Sequence, residues 1–355
     1  RHSEILHWLA TMGFRVNEEI EVHASLADAY QRVKWWGSHR DRVDYDIDGV
    51  VIKIDDTEEW ERLGVVGREP RWATAYKFPP QQRTTKLVDI MINVGRTGAL
   101  NPFAVLESVV VGGARVQMAT LHNEQDIHRK DVRIGDTVIV QRAGDVIPQV
   151  VAPVVSLRDG SELIFEMPKV CPVCAAAVVH EEEAADYYCP NLACPEQQVR
   201  LIEHFASRGA MDIEGLGSRM AAVLFDQGLV EDVSDIYGLT VERLTQLERM
   251  GDKSATNLVD SIRSSTGRPL LNVLFALGIR HVGAQTARVL AEHFGAMQAI
   301  LDAGDEELHE VEGVGPIVGR SIENWAKRPE NRAIVDKLVA AGVNMEGAII
   351  TSATN

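Results

Sequence analysis

The sharpest chemical signal in the chain is carried by its four cysteines, Cys171-Pro172-Val173-Cys174 and Cys189-Pro190-Asn191-Leu192-Ala193-Cys194. Two short-spaced pairs held on turns can bring four thiolates to one tetrahedral ion at ~2.3 Å each, which is how a structural zinc site closes. Four thiolates leave no open position for water, so the expectation is structural Zn2+ rather than catalytic zinc. Two disulfides or free thiols are the alternative, and a reducing compartment argues against the disulfides. Between the pairs, His180 and Glu181-Glu182-Glu183 read as a solvated tip.

A second signal is repeated. Ile213-Glu214-Gly215-Leu216-Gly217, Met250-Gly251-Asp252-Lys253-Ser254, Leu277-Gly278-Ile279-Arg280-His281-Val282-Gly283 and Val311-Glu312-Gly313-Val314-Gly315 are glycine turns between helical stretches. Glycine lets the backbone turn tightly and present amide N–H groups at the next helix N-terminus, where an anion such as phosphate is favoured. One such turn would read equally well as a helix end. Four of them read as a repeat with a purpose, and Gly215, Gly217, Gly251, Gly278, Gly283, Gly313 and Gly315 become candidate phosphate contacts. The second turn departs from the others, with Lys253 where a second glycine is expected.

The third constellation is Asp48-Gly49-Val50-Val51-Ile52-Lys53, followed by Arg71-Trp72-Ala73-Thr74-Ala75-Tyr76-Lys77-Phe78-Pro79. A carboxylate can hold a divalent cation, and lysines among low-dielectric walls stabilise a phosphoryl group in transfer. Lys77, set among aromatics, reads as buried. On a flat strand Asp48 and Lys53 face opposite sides, so they share a site only if Asp48 lies at the strand end or Gly49 bulges. From the residues alone, exposed ion-pairing groups are the plainer reading of both lysines.

The elements that would position these groups fall into four segments and a tail. Residues 1–78 combine a helix with a β-rich run and read as part of an α+β domain. Residues 79–164 give short strands at Leu87–Val94, Val105–Val111, Ala114–Thr120 and Thr137–Arg142 between glycine turns, with no long helix. That pattern suits a small barrel of the oligonucleotide-binding kind, or equally an SH3-like one. Residues 165–198 hold the cysteines, 199–345 are helical throughout, and 346–355 form a tail. The fold class expected is therefore multidomain α+β.

The 355 residues carry 36 Lys and Arg against 52 Asp and Glu, a net charge of −16, so the molecule as a whole does not capture nucleic acid by charge. Between Arg62 and Arg96, however, seven basic residues stand against two acidic ones, including Arg68, Arg71 and Lys86. Nothing reads as a membrane span or signal peptide, so no membrane partner and a cytoplasmic setting are expected. The chain opens at Arg1 inside an amphipathic pattern (Ile5, Leu6, Trp8, Leu9), as expected of a piece of a longer protein.

The Asp-Gly-Val-Val-Ile-Lys run resembles the nucleotidyltransferase motif of DNA ligases and capping enzymes, and Arg71–Pro79 resembles the motif that follows it. Asn93–Gly98, Ala119–Asn123 and Ala143–Pro148, then a four-cysteine finger and four turns that resemble helix-hairpin-helix motifs, complete an order similar to the bacterial NAD-dependent DNA ligases over roughly residues 1–345. The resemblance implies a partial nucleotidyltransferase domain, an OB-fold barrel, a zinc finger and a helix-hairpin-helix array. It implies a bacterial, nucleoid-associated monomer acting in replication and repair. Its partner would be nicked double-stranded DNA, bound without regard to sequence, and its cofactors NAD, Zn2+ and Mg2+ or Mn2+.

The reaction implied runs through an enzyme–AMP and a DNA–adenylate to a sealed nick. The roles implied are Lys53 and Lys77 on the nucleotide phosphates, Asp48 near the magnesium, and Arg96 on the DNA backbone. The nucleophilic lysine of that family sits in Lys-x-Asp-Gly, which this chain does not contain; Lys53-Ile54-Asp55-Asp56 lacks the glycine and lies too far downstream. The nicotinamide-recognising region and a BRCT domain are likewise not in this chain, which is not expected to adenylate itself. A noncatalytic DNA clamp is the rival reading.

Overall fold

The structure, a computed structural model, describes residues 1–66, 69–143, 147–180 and 185–347. Arg68, the Gly144-Asp145-Val146 part of the Ala143–Pro148 motif, Glu181–Glu183 and the tail beyond Gly347 lie outside the described residues. The chain divides into two compact units, residues 1–91 with 102–166, and residues 92–101 with 167 onward.

The first unit opens with helix α1 (His2–Thr11), none of whose residues is buried. Helix α2 (Leu26–Ser38) starts where the Ser25 hydroxyl accepts the Asp28 N–H, and it buries Val33 and Trp36 one turn apart. These two residues and Phe78 form a small core against which Val50 and Ile52 pack. That burial fixes the register of strands β1 (Gly49–Lys53) and β2 (Ala73–Lys77), an antiparallel pair with Gly49 opposite Lys77 and Lys53 opposite Ala73. Even-numbered residues of β1 face the helix, and odd-numbered ones face away.

A barrel follows, made of β3 (Gln82–Val94), β4 (Ala99–Val111), β5 (Ala114–Thr120), β6 (Thr137–Ala143) and β7 (Ile147–Pro153), with helix α3 (Glu124–Arg129) between the third and fourth strands. The order is β4-β3-β6-β7-β5, and β5 returns to pair with β4, so five strands close. The β7–β5 contact is parallel. Closure through a helix and one parallel pair is the oligonucleotide-binding topology, and it decides against the SH3-like alternative. Leu100, Pro102, Ala104 and Leu106 of β4 alternate inward; a register shift against β5 then carries burial to Val111. The strands run longer than the sequence pattern suggests because β3 and β4 continue past the polar residues that bracket their apolar runs. The barrel is locked at its base by Asp136, fully buried, which takes two hydrogen bonds from the Arg158 guanidinium at 2.7 and 2.9 Å and one from the Arg133 N–H at 2.7 Å.

In the second unit a short hairpin of β8 (Val179–His180) and β9 (Tyr187–Tyr188) pairs with the start of β4 through Tyr187–Leu100 and Tyr188–Ala99. Cys194 is the N-cap of helix α4 (Pro195–Ala206), with proline at its first position. The helical array continues through α5 (Ser218–Asp226), α6 (Asp252–Ser265), α7 (Leu270–Ala276), α8 (Ala284–Phe294), α9 (Pro316–Ala326) and α10 (Pro329–Ala340), with shorter helical turns between. One apolar core runs through it, from Ile202 and Phe205 to Leu338. In α6 the buried residues Ala255, Leu258, Val259 and Ile262 trace the expected helical stripe. No helix among the described residues is long and apolar enough to cross a membrane.

Candidate functional site

The four cysteine sulfurs lie within 4.8 Å of one another, with Cys174 Sγ and Cys189 Sγ 3.5 Å apart, and none is in a disulfide. Sulfurs around a tetrahedral zinc at ~2.3 Å stand ~3.8 Å from each other, so the cage matches that ion in size and donor type. Burial pushes the Cys189 thiol up to about 12 and also raises that of Cys194. A hydrogen bond from the Ala176 backbone, helped by Asn191, brings Cys174 down to about 6. Such a cage holds four thiolates only around a cation.

The hairpin turns prove to share one backbone. Ile213, Leu247, Ile279 and Val311, spaced 34, 32 and 32 residues apart, each accept a hydrogen bond from the N–H three residues on. The residue before that donor is left-handed in every case: Gly215 (φ +89°), Arg249 (+65°), His281 (+65°) and Gly313 (+87°). The donors, Leu216, Met250, Val282 and Val314, pack into the core. The next residue, Gly217, Gly251, Gly283 or Gly315, is the N-cap of α5, α6, α8 or α9, with φ between −83° and −87°.

This corrects the reading of the second turn. Gly251 is its second glycine and Arg249 stands in the place of the first, whereas Lys253 lies inside the helix. Gly278 also differs in setting: it lies just past the C-terminal end of α7, and a Cβ there would come within 2.8 Å of Leu201 and 3.6 Å of Arg96 and His204. Aligning the turns on their last glycine would have exposed Arg249 and His281 in the sequence.

At the β1–β2 pair, Lys53 and Lys77 share the face turned away from the α2 core, four residues apart along the strands. Lys77 is not buried among aromatics as its surroundings in sequence suggest; its side chain is exposed and ion-paired with Asp48. Residues Tyr76 and Phe78 alternate to the other face, which is why neighbours in sequence do not enclose it. Asp48 immediately precedes β1, the strand-end position that allows it to reach Lys77. It is not brought to Lys53, which is at the far end of the strand. Lys53, Val51, Thr74, Arg71, Trp72 and His23 line a cleft of about 790 Å3. Asp48 opens instead onto a second cleft with Arg40, a cation the sequence did not single out; its guanidinium lies 4.5 Å over Phe78 and donates to the Pro79 carbonyl at 2.9 Å.

Arg96 is exposed, in the turn between β3 and β4. Within the basic run, Arg62 is tied to Glu59.

Comparison with known proteins gives consistent matches in chain order. Residues 1–81 match the NAD-dependent DNA ligase adenylation domain, 84–162 its OB-fold domain and 170–195 its C4 zinc finger domain. Residues 208–264 match a SAM-like helix-hairpin-helix tandem, and 272–335 a helix-hairpin-helix motif. Among curated proteins, the chain is 50% identical over 343 residues to a DNA ligase of Rubrobacter xylanophilus, covering 97% of this chain and 50% of that protein. DNA ligases of Halothermothrix orenii (49%, covering 97% and 52%) and Nitrosococcus oceani (48%, covering 97% and 51%) are similarly close. The chain spans about half the length of the curated relatives it matches.

Proposed function

Because the chain belongs to the NAD-dependent DNA ligase family, we propose that it supplies the duplex-gripping part and one wall of the nucleotide site of an enzyme that seals 5′-phosphate/3′-hydroxyl nicks in DNA. The seal is made with NAD through enzyme–AMP and DNA–adenylate intermediates, in replication and repair, in the cytoplasm at the nucleoid. Residues 1–78, 79–164, 165–198 and 199–345 would be its adenylation, OB-fold, zinc-finger and helix-hairpin-helix portions, and the working state a monomer. Zn2+ would be held by Cys171, Cys174, Cys189 and Cys194.

One observation carries the DNA-binding reading. A Cβ built at Gly217, Gly251, Gly283 or Gly315 would meet nothing within 4 Å, and each has an ordinary negative φ. The protein's own packing therefore has no need of glycine at these N-caps, where Ser, Asn or Asp would cap better. Close approach of an outside phosphate to bare backbone amides accounts for all four. Amides carry no net charge, so an acidic protein can grip DNA in this way. Within the nucleotide wall, Lys53 and Lys77 would neutralise phosphate oxygens and Asp48 would hold Mg2+. A noncatalytic clamp would have no use for that arrangement.

The test is fluorescence anisotropy with nicked duplexes of two unrelated sequences. Both should bind alike, with log affinity falling linearly against log salt. Gly283→Ala and Gly315→Ala should each weaken binding while leaving the unfolding midpoint nearly unchanged. Sequence-dependent affinity, or full binding by the double variant, would overturn the reading.

A further inference from the structure

The zinc cage and the exposed Arg96 are joined by a short chain of buried polar contacts. The Cys189 N–H donates to the Gly98 carbonyl at 2.8 Å, and the Cys189 carbonyl accepts from the Gln197 side chain at 3.0 Å. Gln197 donates a second time, to the Asn191 carbonyl at 3.0 Å. It is 4% exposed, one of the few buried polar side chains among the described residues. Both backbone groups of one metal-ligating residue are thus committed, one to the turn that carries Arg96 and the other to helix α4.

The fit leaves no slack. Gly98 has φ +81°, and a Cβ there would come within 2.4 Å of the Cys189 carbonyl and 3.1 Å of the Gln197 amide. The turn itself is closed by Gly98 N–H to Gly95 O at 2.9 Å and Gly95 N–H to Ala99 O at 2.8 Å. Arg96 lies at its apex. The other end of α4 presents Leu201 and His204 to Gly278, where Arg96 also arrives, and His204 is bonded to the Phe275 carbonyl at 2.8 Å. Two residues further on, Arg280 stacks 4.1 Å over Tyr188 of the finger hairpin. The third hairpin turn, Ile279–Gly283, begins at this junction.

We propose that Gln197 is a positioning residue that transmits the loaded state of the cysteine cage to Arg96, so that zinc sets the phosphate grip of the β3–β4 turn against the third hairpin. The metal closes the Cys189–Cys194 knuckle, the knuckle fixes the start of α4, and Gln197 on its first turn holds Gly98 in place. A zinc with only a folding role would leave Arg96 and Gln197 energetically independent. A zinc acting through this path makes them a single unit. The inference rests on the duplex-gripping reading above.

The experiment uses the full chain with Arg96→Ala, Gln197→Leu and the double variant, each checked for zinc content, against a fluorescein-labelled nicked duplex. Gln197→Leu should keep its zinc yet lose ~3–10-fold in affinity, with the salt slope shallower by ~0.9, the equivalent of one phosphate. In the Arg96→Ala background it should do nothing further. Multiplying effects of the two substitutions, or unchanged binding by Gln197→Leu, would overturn the proposal. Should Gln197→Leu lose zinc, Gly98→Ala tests the same link with all four cysteines and Gln197 intact, and the same loss and the same non-additivity are expected. The Arg96 Nε–H NMR resonance provides a readout without DNA: it should shift on metal removal and in Gln197→Leu. An unmoved resonance would overturn the coupling even if DNA binds, whereas a shifted one in a chain that binds no duplex would count against the DNA reading alone.

Discussion

Arg249 takes at the second hairpin the left-handed backbone that Gly215 takes at the first, φ +65° against +89°. An L-residue in that region costs roughly 1–2 kcal/mol, which glycine avoids. Glycine also loses more freedom on folding, so about half of the gain is returned. Arg249→Gly should therefore raise stability by up to ~1 kcal/mol in urea denaturation. The same variant removes a cation from the hairpin face, and duplex affinity should fall with a shallower salt slope. A stability loss instead would mean that the Arg249 side chain does more for the fold than its backbone costs.

The metal prediction follows from the cage and from the position of Cys194 at the N-cap of α4. The purified chain should contain about one zinc. Cys194→Ser should lose it, and hydrogen exchange should quicken across 171–206 while β5, β6 and β7 keep their protection. Full zinc occupancy in that variant would show that the four sulfurs do not act as one site.

A different kind of stability is stored at the base of the barrel. Asp136 has no exposed side-chain surface, and Arg158 is only 13% exposed. Removing one partner of a buried pair leaves the other uncompensated, so Arg158→Ala should cost ~3–5 kcal/mol. Asp131, which pairs with Arg158 at 2.6 Å from an exposed position, should cost under ~1 kcal/mol when changed to Ala. Equal costs for the two would refute the assignment of Asp136 as the buried anchor.

The sequence revealed most where chemistry demands fixed spacing. Paired cysteines must be close in sequence to meet on one ion, and hairpin turns must repeat, so both could be read directly. The barrel strands were located by Gly112-Gly113 and Gly135-Asp136, but their closure depends on the long-range pairing of β3 with β6 and β5 with β7, which leaves no local trace. Arg249 and His281 become legible as left-handed positions only once the turns are aligned on their last glycine, since neither residue type by itself marks a positive φ. Lys77 stands among aromatics in the sequence yet is exposed and ion-paired, the plainer reading of its residue type, because those aromatic neighbours alternate to the opposite face. Gln197 sits in an ordinary helical pattern, and only the fold brings it to Cys189 and Gly98.

The Lys77–Asp48 pair yields the last prediction. Both side chains are substantially exposed, at 57% and 40%, and an ion pair of that kind contributes no more than ~1 kcal/mol to folding. Lys77→Ala and Asp48→Asn should therefore leave the denaturation curve nearly unmoved. Any loss they cause in nucleotide binding would report on the open face itself, where Lys53 also stands. Lys77 is not expected to act as a nucleophile. Its amine is engaged by Asp48, and the Lys-x-Asp-Gly sequence of the family's adenylated lysine does not occur here. Incubated with NAD and Mg2+, the chain should gain no AMP by intact mass and release no nicotinamide mononucleotide. An added AMP that disappears in Lys77→Ala would make Lys77 the nucleophile and overturn its role as a phosphate-neutralising group.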